Sequence, residues 1–474
     1  MKRLAVGLLA AGLVMGQSAD ALFDAAVLHD IQITIHPTDW QRLKDNYLEN
    51  TYYLCDLQWR SLKVENIGIR SRGLGSRSGL KPGLRVDFDR FQTTQSFLGL
   101  KSLVLDNFTQ DPSMLHERLT MRMFERMGLP APREAHARLY VNGVYVGLYG
   151  VVEAVDKRML SRVFGENDGY LYEYKWVEDY RFEDRGSDPA RYAPVPFKPV
   201  THEKDPDHKP LVEMIRAMHD AGTGEFRKAM EPYLDLKVLM RHVAVENFLS
   251  DFDGVLGEWG MNNFYLYRFE GKKKWQLIAW DKDVSFYWEH YPIWTNVYTN
   301  PVMRRSLEDP ELRDAYLESL LKLAALAGEE NGWLEREIVA GYRQIRTAAW
   351  LDKQKPYTNE QFEEAVEKLV EFVRARGRFV REEVASSGIS RAERPNLTKA
   401  ILEPSSPVVA VYANGMMSEA VQVYISGYLA ELISVEPGLV RVKLPLMVPP
   451  ESAAITVFVD GVPGNTVPLE LSAP

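Results

Sequence analysis

Between residues 30 and 35 the chain alternates. Ile31, Ile33 and Ile35 fall on one side, Gln32 and Thr34 on the other. That two-residue period predicts a half-buried strand, and residues 64–70 and 84–88 read the same way. At residue 111 the period changes. Asp111 followed by Pro112 is an N-cap with proline at the first helical position. Leu115, Leu119, Met123 and Met127 then recur at helical spacing until Gly128 and Pro130 end the run. Apolar stretches 138–141 and 144–152 flank Asn142-Gly143, the strongest short-range hairpin signal. Asp156 is placed to cap a short helix reaching Phe164. From about Lys209 helical spacing dominates. Asp235 should cap a helix over 236–249, and Asp309-Pro310 should open another. Thr358 with Gln361 matches a capping box ahead of the stripe Phe362, Val366, Leu369 and Val373, with Gly388 as the stop. Residues 264–266 and 275–279 form a second hairpin-like pair. Residues 391–395 read as a linker. Beyond Leu397 only short alternating runs remain, at 408–411, 421–425, 439–444 and 454–459, which predicts a small β-sandwich of the immunoglobulin-like kind.

Length and composition add bounds. The chain has 474 residues, 46% hydrophobic and 26% charged, with a formal net charge of −9. It is long enough for more than one folded unit. No basic run stands out, which argues against a nucleic-acid partner. Lys2 and Arg3 precede an apolar run over 4–15 that is too short for a permanent span, and Ala19-Asp20-Ala21 offers a small-x-small cleavage site. Residues 1–21 therefore read as a signal peptide. The expectation is an exported protein, periplasmic, cell-surface or extracellular, with no permanent membrane span after cleavage. Cleavage makes the chain one unit more negative. Cys55 is the single cysteine, so no intrachain disulfide can form.

The densest chemistry lies between residues 251 and 283. Asp251-Phe252-Asp253 is followed by Asn262-Asn263, and then by Trp280-Asp281-Lys282-Asp283, with largely apolar and aromatic flanks. Carboxylates are costly to bury without partners. A divalent metal carrying phosphate is one simple answer. Plainer readings exist. Asp253-Gly254 suits a turn, and Trp280-Asp281 could end a strand with its aspartate capping the next segment. A calcium loop of the EF-hand type would need glycine and glutamate where Leu256 and Asn262 stand. The nine histidines show no zinc spacing, and no Gly-x-Ser-x-Gly elbow is present.

The order of elements follows the plan of protein kinases: a strand-rich half with one prominent helix, a hinge, and a helical half carrying acidic residues beside a hairpin. The segment Arg70-Ser71-Arg72-Gly73-Leu74-Gly75-Ser76-Arg77-Ser78-Gly79 would be a glycine- and serine-rich turn between two strands, where backbone amides can approach phosphate. Lys81 and Arg85 follow it. Glu117 sits on the helix after Asp111, either paired with a strand cation or solvated like most glutamates.

At this level of detail the chain resembles the spore-coat protein H (CotH) kinases, atypical secreted protein kinases. The resemblance rests on Arg70-x-Arg72-Gly73-x-x-Ser76, Lys81-Pro82, Phe97-x-Gly99-Leu100-Lys101, Asp111-Pro112-Ser113-Met114 and Asn142-Gly143-x-Tyr145-x-Gly147-Leu148-Tyr149. It continues through Glu153-x-x-Asp156-Lys157, Glu246-Asn247-Phe248-Leu249, Asn262-Asn263-Phe264-Tyr265-Leu266-Tyr267 and Trp280-Asp281-x-Asp283. It covers roughly residues 28–381 and leaves the C-terminal strands outside.

The fold the resemblance implies is α+β. A two-lobed, atypical protein-kinase-like domain would span residues 22–390, with a β-rich lobe over about 28–152 and a helical lobe over about 156–390. A small all-β sandwich over 396–474 would follow. The implied activity is metal-assisted transfer of phosphate from ATP, with Mg2+ or Mn2+, to Ser or Thr of a protein substrate. Asp253 would orient the attacking hydroxyl, with Asp251 a competitor for that role. Asp281 would bind metal, with Asp283 a competitor and Asn262 or Asn263 completing the site. Arg72, Ser76, Lys81, Arg85, Glu117 and Glu153 would bind nucleotide. Glu117 would pair with Lys81 or Arg85, and residues 151–156 would form the hinge. Asp253 and Asn262 stand farther apart than in ordinary kinases, so the loop must bulge or the amide is not a ligand. Two alternatives share the scaffold: a catalytically inactive surface or adhesive binding protein, and a transferase of AMP.

Overall fold

The computed structural model describes residues 17–222, 224–328, 330–387, 395–414, 421–426, 428–446, 448–459 and 462–471. The signal segment ahead of Gln17, the stop at Gly388 and most of the expected linker lie outside them. The chain is α+β and divides into two compact units. One takes in residues up to 107 together with 134–153 and 351–354, and the other holds the remainder.

Seven strands build the first unit. They are β1 (Leu28–Ile35), β2 (Tyr53–Trp59), β3 (Leu62–Ser71), β4 (Leu84–Asp87), β5 (Ser102–Asp106), β6 (Glu134–Val141) and β7 (Val144–Glu153). They close into a barrel in the order β1-β2-β3-β4-β5-β7-β6. The alternation in β1 dictates its facing: Ile31, Ile33 and Ile35 are buried while Thr34 is exposed. They share one core with Trp59, Ile67, Ile69, Val86, Phe88 and Leu105. Ala19, Leu22 and Phe23, at the short helix Ala19–Leu22, join it.

Closure comes from β1 lying parallel to β6, with Ile33 opposite Val141. The hairpin turn pins that seam. Asn142 and Gly143 take the left-handed φ values of 52° and 80° that such a turn requires. The Asn142 side chain accepts from the Ile35 amide at 3.0 Å and donates to its carbonyl at 2.9 Å.

In the second unit the helix His116–Arg126 begins later than the Asp-Pro signal predicts. Met114 sits at φ 59°, outside helical space, so a turn intervenes. Asp111 still caps: its carboxylate accepts from the amides of Ser113, Leu115 and His116 at 2.7–2.8 Å. Asp156 caps Lys157–Phe164, Asp235 caps Leu236–Phe248 and Asp309 caps Pro310–Ala327, as the sequence predicts. The capping box also forms, with Thr358 and Gln361 bonded reciprocally ahead of the helix Asn359–Ser387. The helix Trp333–Leu351 was not foreseen.

A four-stranded sheet in this unit has the order β11-β10-β8-β9, from β8 (Tyr170–Tyr174), β9 (Phe197–Pro199), β10 (Phe264–Arg268) and β11 (Trp275–Ala279). It carries the expected hairpin, β10 with β11. The C-terminal strands, from Asn396–Leu402 to Val462–Leu471, form one hydrogen-bonded series of eight. A single core drawn from both ends of that series, including Val423, Ile455, Val409 and Val442, holds them together.

One buried arginine ties the helical part together. The Arg376 guanidinium, on the helix Asn359–Ser387, donates to the carbonyls of Asn247 and Phe248 at 2.8 Å each, Glu289 at 3.0 Å and Tyr291 at 2.6 Å. It thereby satisfies the C-terminal end of Leu236–Phe248, whose last carbonyls have no partner within the helix. Burial pushes its pKa down to about 9. Arg376→Met should lower unfolding stability by about 2–4 kcal/mol, because buried carbonyls then lose a charged donor. A denaturant titration with an unchanged m-value checks this.

Candidate active site

The helix Leu236–Phe248 delivers the chain to the acidic cluster. Its Glu246 is buried and faces Lys282, which is buried completely. Lys282 Nζ lies 2.7 Å from Glu246 Oε1 and 2.7 Å from Asp251 Oδ2. Burial would lower the Lys282 pKa, but the charges of Asp251 and Glu246 outweigh it and raise it. Burial pushes Glu246 up, yet Lys282 and His242 outweigh that and hold it down at about 2. Burial and the neighbouring Glu246 charge raise Asp251 more than Lys282 lowers it. Asp251 is thus a wall of the site. Its other oxygen, Oδ1, accepts from the Asp253 amide at 3.1 Å.

Asp253 is in a different position. It is partly exposed, and its carboxylate accepts from Asn262 Nδ2 at 3.1 and 3.2 Å and from Asn263 Nδ2 at 3.0 Å. The long spacing to Asn262 is absorbed by a bulge. Glu258 donates its amide to Phe252, and Gly257 and Asn262 donate theirs to Gly254. Gly254 must lack a side chain, since a Cβ there would sit 2.6 Å from the Glu246 carboxyl carbon. Gly260, at φ 108°, turns the chain back toward Asn262.

The strand pair β10–β11 brings the second acidic segment alongside. The Trp280 amide donates to the Asn263 carbonyl at 3.2 Å, and Asp281 follows in the left-handed region at φ 50°. Ser250 at 53°, Asn263 at 56° and Phe286 at 62° share that conformation. Four non-glycine residues held there within 37 positions mark a backbone that its surroundings over-determine, as functional loops often are. Burial raises the Asp253 carboxyl to about 6. The Asn262 bond and Lys282 pull it down, while the charges of Asp251 and Asp281 push it up. Asp283 is buried, and its carbonyl accepts from His116 Nδ1 at 2.8 Å.

Among the described residues no three His, Cys, Asp or Glu side chains gather as a metal-binding group. The donors on these adjoining segments are Asp253 with its two amides, and Asp281 beyond the Trp280–Asn263 backbone bond. Asn262 and Asn263 turn their nitrogens to Asp253, which keeps each Oδ1 for another partner. A set of few carboxylates and neutral oxygens suits Mg2+ or Mn2+, which retain waters and take further ligands from phosphate.

In the barrel unit the remaining candidates occupy β3, the loop after it, β4 and β7. Arg77 folds back to hold the glycine-rich loop, donating to Gly73, Tyr47 and Glu49 carbonyls and to Asn50. Gly73 lies at φ 108°. Arg72 is mostly buried, with NH1 3.9 Å from Asp106. The Ser76 carbonyl accepts from Asn107. Lys81 is completely buried, its Nζ 2.7 Å from Asp352 Oδ2 and 5.1 Å from the Tyr149 ring centre. Arg85 bonds Asp87 and Ser102. Glu153 ends β7 and is buried. Glu117 belongs to the other unit and is buried at the start of its helix, so the solvated reading of that residue does not hold.

The structure brings Asp251, Asp253, Asn262 and Asn263 into one hydrogen-bonded cluster and puts Asp281 on the segment joined to it through Trp280 and Asn263. The CotH kinase protein family matches residues 69–380, more than half of the chain. The chain belongs to the CotH kinase protein family. The match begins inside β3 and ends within the helix Asn359–Ser387, which leaves the C-terminal strands outside as expected. The chain is also similar to inner spore coat protein H of Bacillus subtilis (strain 168), at 23% identity over 364 residues, covering 75% of this chain and 97% of that protein. No helix among the described residues is long and apolar enough to cross a membrane.

Three residues that matter here carried little sequence signal. Glu246 enters the resemblance only as part of Glu246-Asn247-Phe248-Leu249, with no role attached, and Lys282 looks like an ordinary charged residue until the fold buries both. Asp352 lies between two helices, far in sequence from Lys81. A lysine flanked by two aspartates, and the one acid on the helix Leu236–Phe248, are the hints that could have found the first pair.

Proposed function

We propose that this protein is an ATP-dependent phosphotransferase that phosphorylates Ser or Thr of a protein substrate, assisted by Mg2+ or Mn2+. The observation that carries the reading is the division between the two neighbouring aspartates. Asp251 is tied to a buried lysine that it shares with Glu246, while Asp253 stays accessible, is oriented by two amides and is raised to about 6. A carboxylate of that kind can orient and accept the proton of an attacking hydroxyl at neutral pH.

Asp281, with an amide oxygen of Asn262 or Asn263, would hold the metal, which supplies charge neutralisation for the transferred phosphoryl group. Asp253 would sit on the hydroxyl side. Asp283 serves as an anchor through its carbonyl. Family membership supports the kinase activity, and the name of the relative, together with residues 1–21, supports an exported or surface location.

Purified protein incubated with radiolabelled ATP and Mn2+ tests the activity. Label should appear on serine or threonine of the chain itself or of added protein. Transfer of AMP instead would show as a nucleotide adduct in mass spectrometry. No label and no nucleotide-dependent stabilisation would leave a binding protein on a kinase-like scaffold.

A further inference from the structure

The surface around Asp253 is unusually aromatic. Among the described residues seven aromatic side chains are strongly exposed, and five of them, Trp176, Trp259, Tyr287, Trp288 and Tyr298, lie on segments joined to the loop that carries Asp253. The Asp179 amide donates to the Trp259 carbonyl at 3.0 Å, which ties the segment of Trp176 to that loop. Asn296 donates to the Leu256 carbonyl and to Glu258 at 3.1 Å each, which ties in the segment of Tyr298. At the centre is Phe252, between the two aspartates. Its ring centre is 4.6 Å from Tyr287 and 5.7 Å from Trp259. Trp259 and Tyr287 remain 56% and 68% exposed, a large apolar area to leave in water at one place.

We propose that Phe252, Trp259 and Tyr287 line the acceptor-side subsite, and that they take a polypeptide segment with a bulky apolar or aromatic side chain close to the residue bearing the hydroxyl. This rests on the phosphotransferase reading and adds a substrate preference to it. The ring geometry favours a side chain over a sugar. A pyranose stacks on one open ring face, whereas Phe252 meets Tyr287 at 54° and Trp259 at 76°. Rings inclined in this way meet edge to face, and an incoming aromatic side chain extends the arrangement such rings prefer. Phe252 is one Cα step, about 3.8 Å, from Asp253. The gripped side chain therefore belongs to a near neighbour of the acceptor residue.

The test uses the full chain with Mn2+ and radiolabelled ATP on peptide pools that hold one central Ser or Thr and fix one flanking position at a time. Pools with Phe, Tyr, Trp, Leu or Met fixed near the acceptor should label about 5-fold or more above the matching Ala or Gly pools, the scale of one well-placed aromatic contact. Trp259→Ala and Tyr287→Ala together should bring that ratio close to one, while Trp350→Ala, an exposed tryptophan elsewhere, should not. Equal labelling of all pools, an unchanged ratio in the double variant, or label entering added oligosaccharides but no peptide overturns the proposal. A wild-type protein that labels nothing and is not stabilised by Mn-ATP overturns the phosphotransferase reading itself.

Discussion

Asp253→Asn should yield a folded protein, more stable at neutral pH than the wild type, that binds Mn-ATP and transfers phosphate about 10²–10⁴-fold more slowly. The rate effect follows from removing the group that accepts the hydroxyl proton. The stability effect follows from linkage. The folded-state pKa of Asp253 is raised from 3.8 to about 6, so the folded protein holds a proton that the unfolded chain has released over that interval. Stability contributed at this site is present at low pH and is lost as pH rises from about 4 to 6. At pH 7 the ionised carboxylate is a standing cost, and two pKa units set an upper limit of about 3 kcal/mol for it. An asparagine avoids that cost and can still accept from one neighbouring amide through its oxygen. Thermal melts at pH 4.5 and 7.5 check the sign. The gap between variant and wild type should widen at the higher pH. In the wild type, activity should rise with pH through a limb near 6.

Lys282→Met should be among the most damaging single substitutions in the helical unit, lowering stability by about 3–5 kcal/mol. Methionine matches the volume of the lysine stem but leaves Glu246 and Asp251 facing each other in a dry interior. Both would be forced toward the protonated state, so the loss should shrink as pH falls. The damage extends to function, because the Asp251 carboxylate also accepts from the Asp253 amide and Lys282 links Asp281 to Asp283. Replacing all three charges together, with Glu246→Gln and Asp251→Asn beside Lys282→Met, should recover a substantial part of the stability. Urea titrations of the single and triple variants measure both. A single variant within about 0.5 kcal/mol of wild type would mean that water or another cation already serves these carboxylates.

How much of this was legible in the sequence varies by element, for physical reasons. Caps were legible because they are local: Asp156, Asp235, Asp309 and the Thr358–Gln361 pair each act within a few residues of themselves. The Asn142-Gly143 turn was legible because its backbone conformation admits few residue types. The late start of the helix after Asp111 was not, since Met114 adopts a left-handed conformation that its residue type does not advertise. Barrel closure was invisible because it depends on the parallel pairing of β1 and β6, about a hundred residues apart. In the site, the spacing of aspartates and asparagines pointed to residues 251–283, but which aspartate is accessible was decided by burial. Only the fold shows that Lys282 is committed to Asp251 and Glu246. Likewise the partner of Lys81 at Asp352 comes from a segment that no local pattern connects to the barrel.

The central claim is that Asp281 and the group around Asp253 hold a cation bearing a nucleotide's phosphates. Calorimetric titration of ATP into the purified chain, with Mn2+ and with chelator, and into Asp281→Ala under both conditions, tests it most directly. The account predicts binding by the wild type that requires Mn2+, and none by a variant that melts as cooperatively as the wild type. A variant that binds Mn-ATP with wild-type affinity, or a wild type that binds equally well with chelator present, would contradict it.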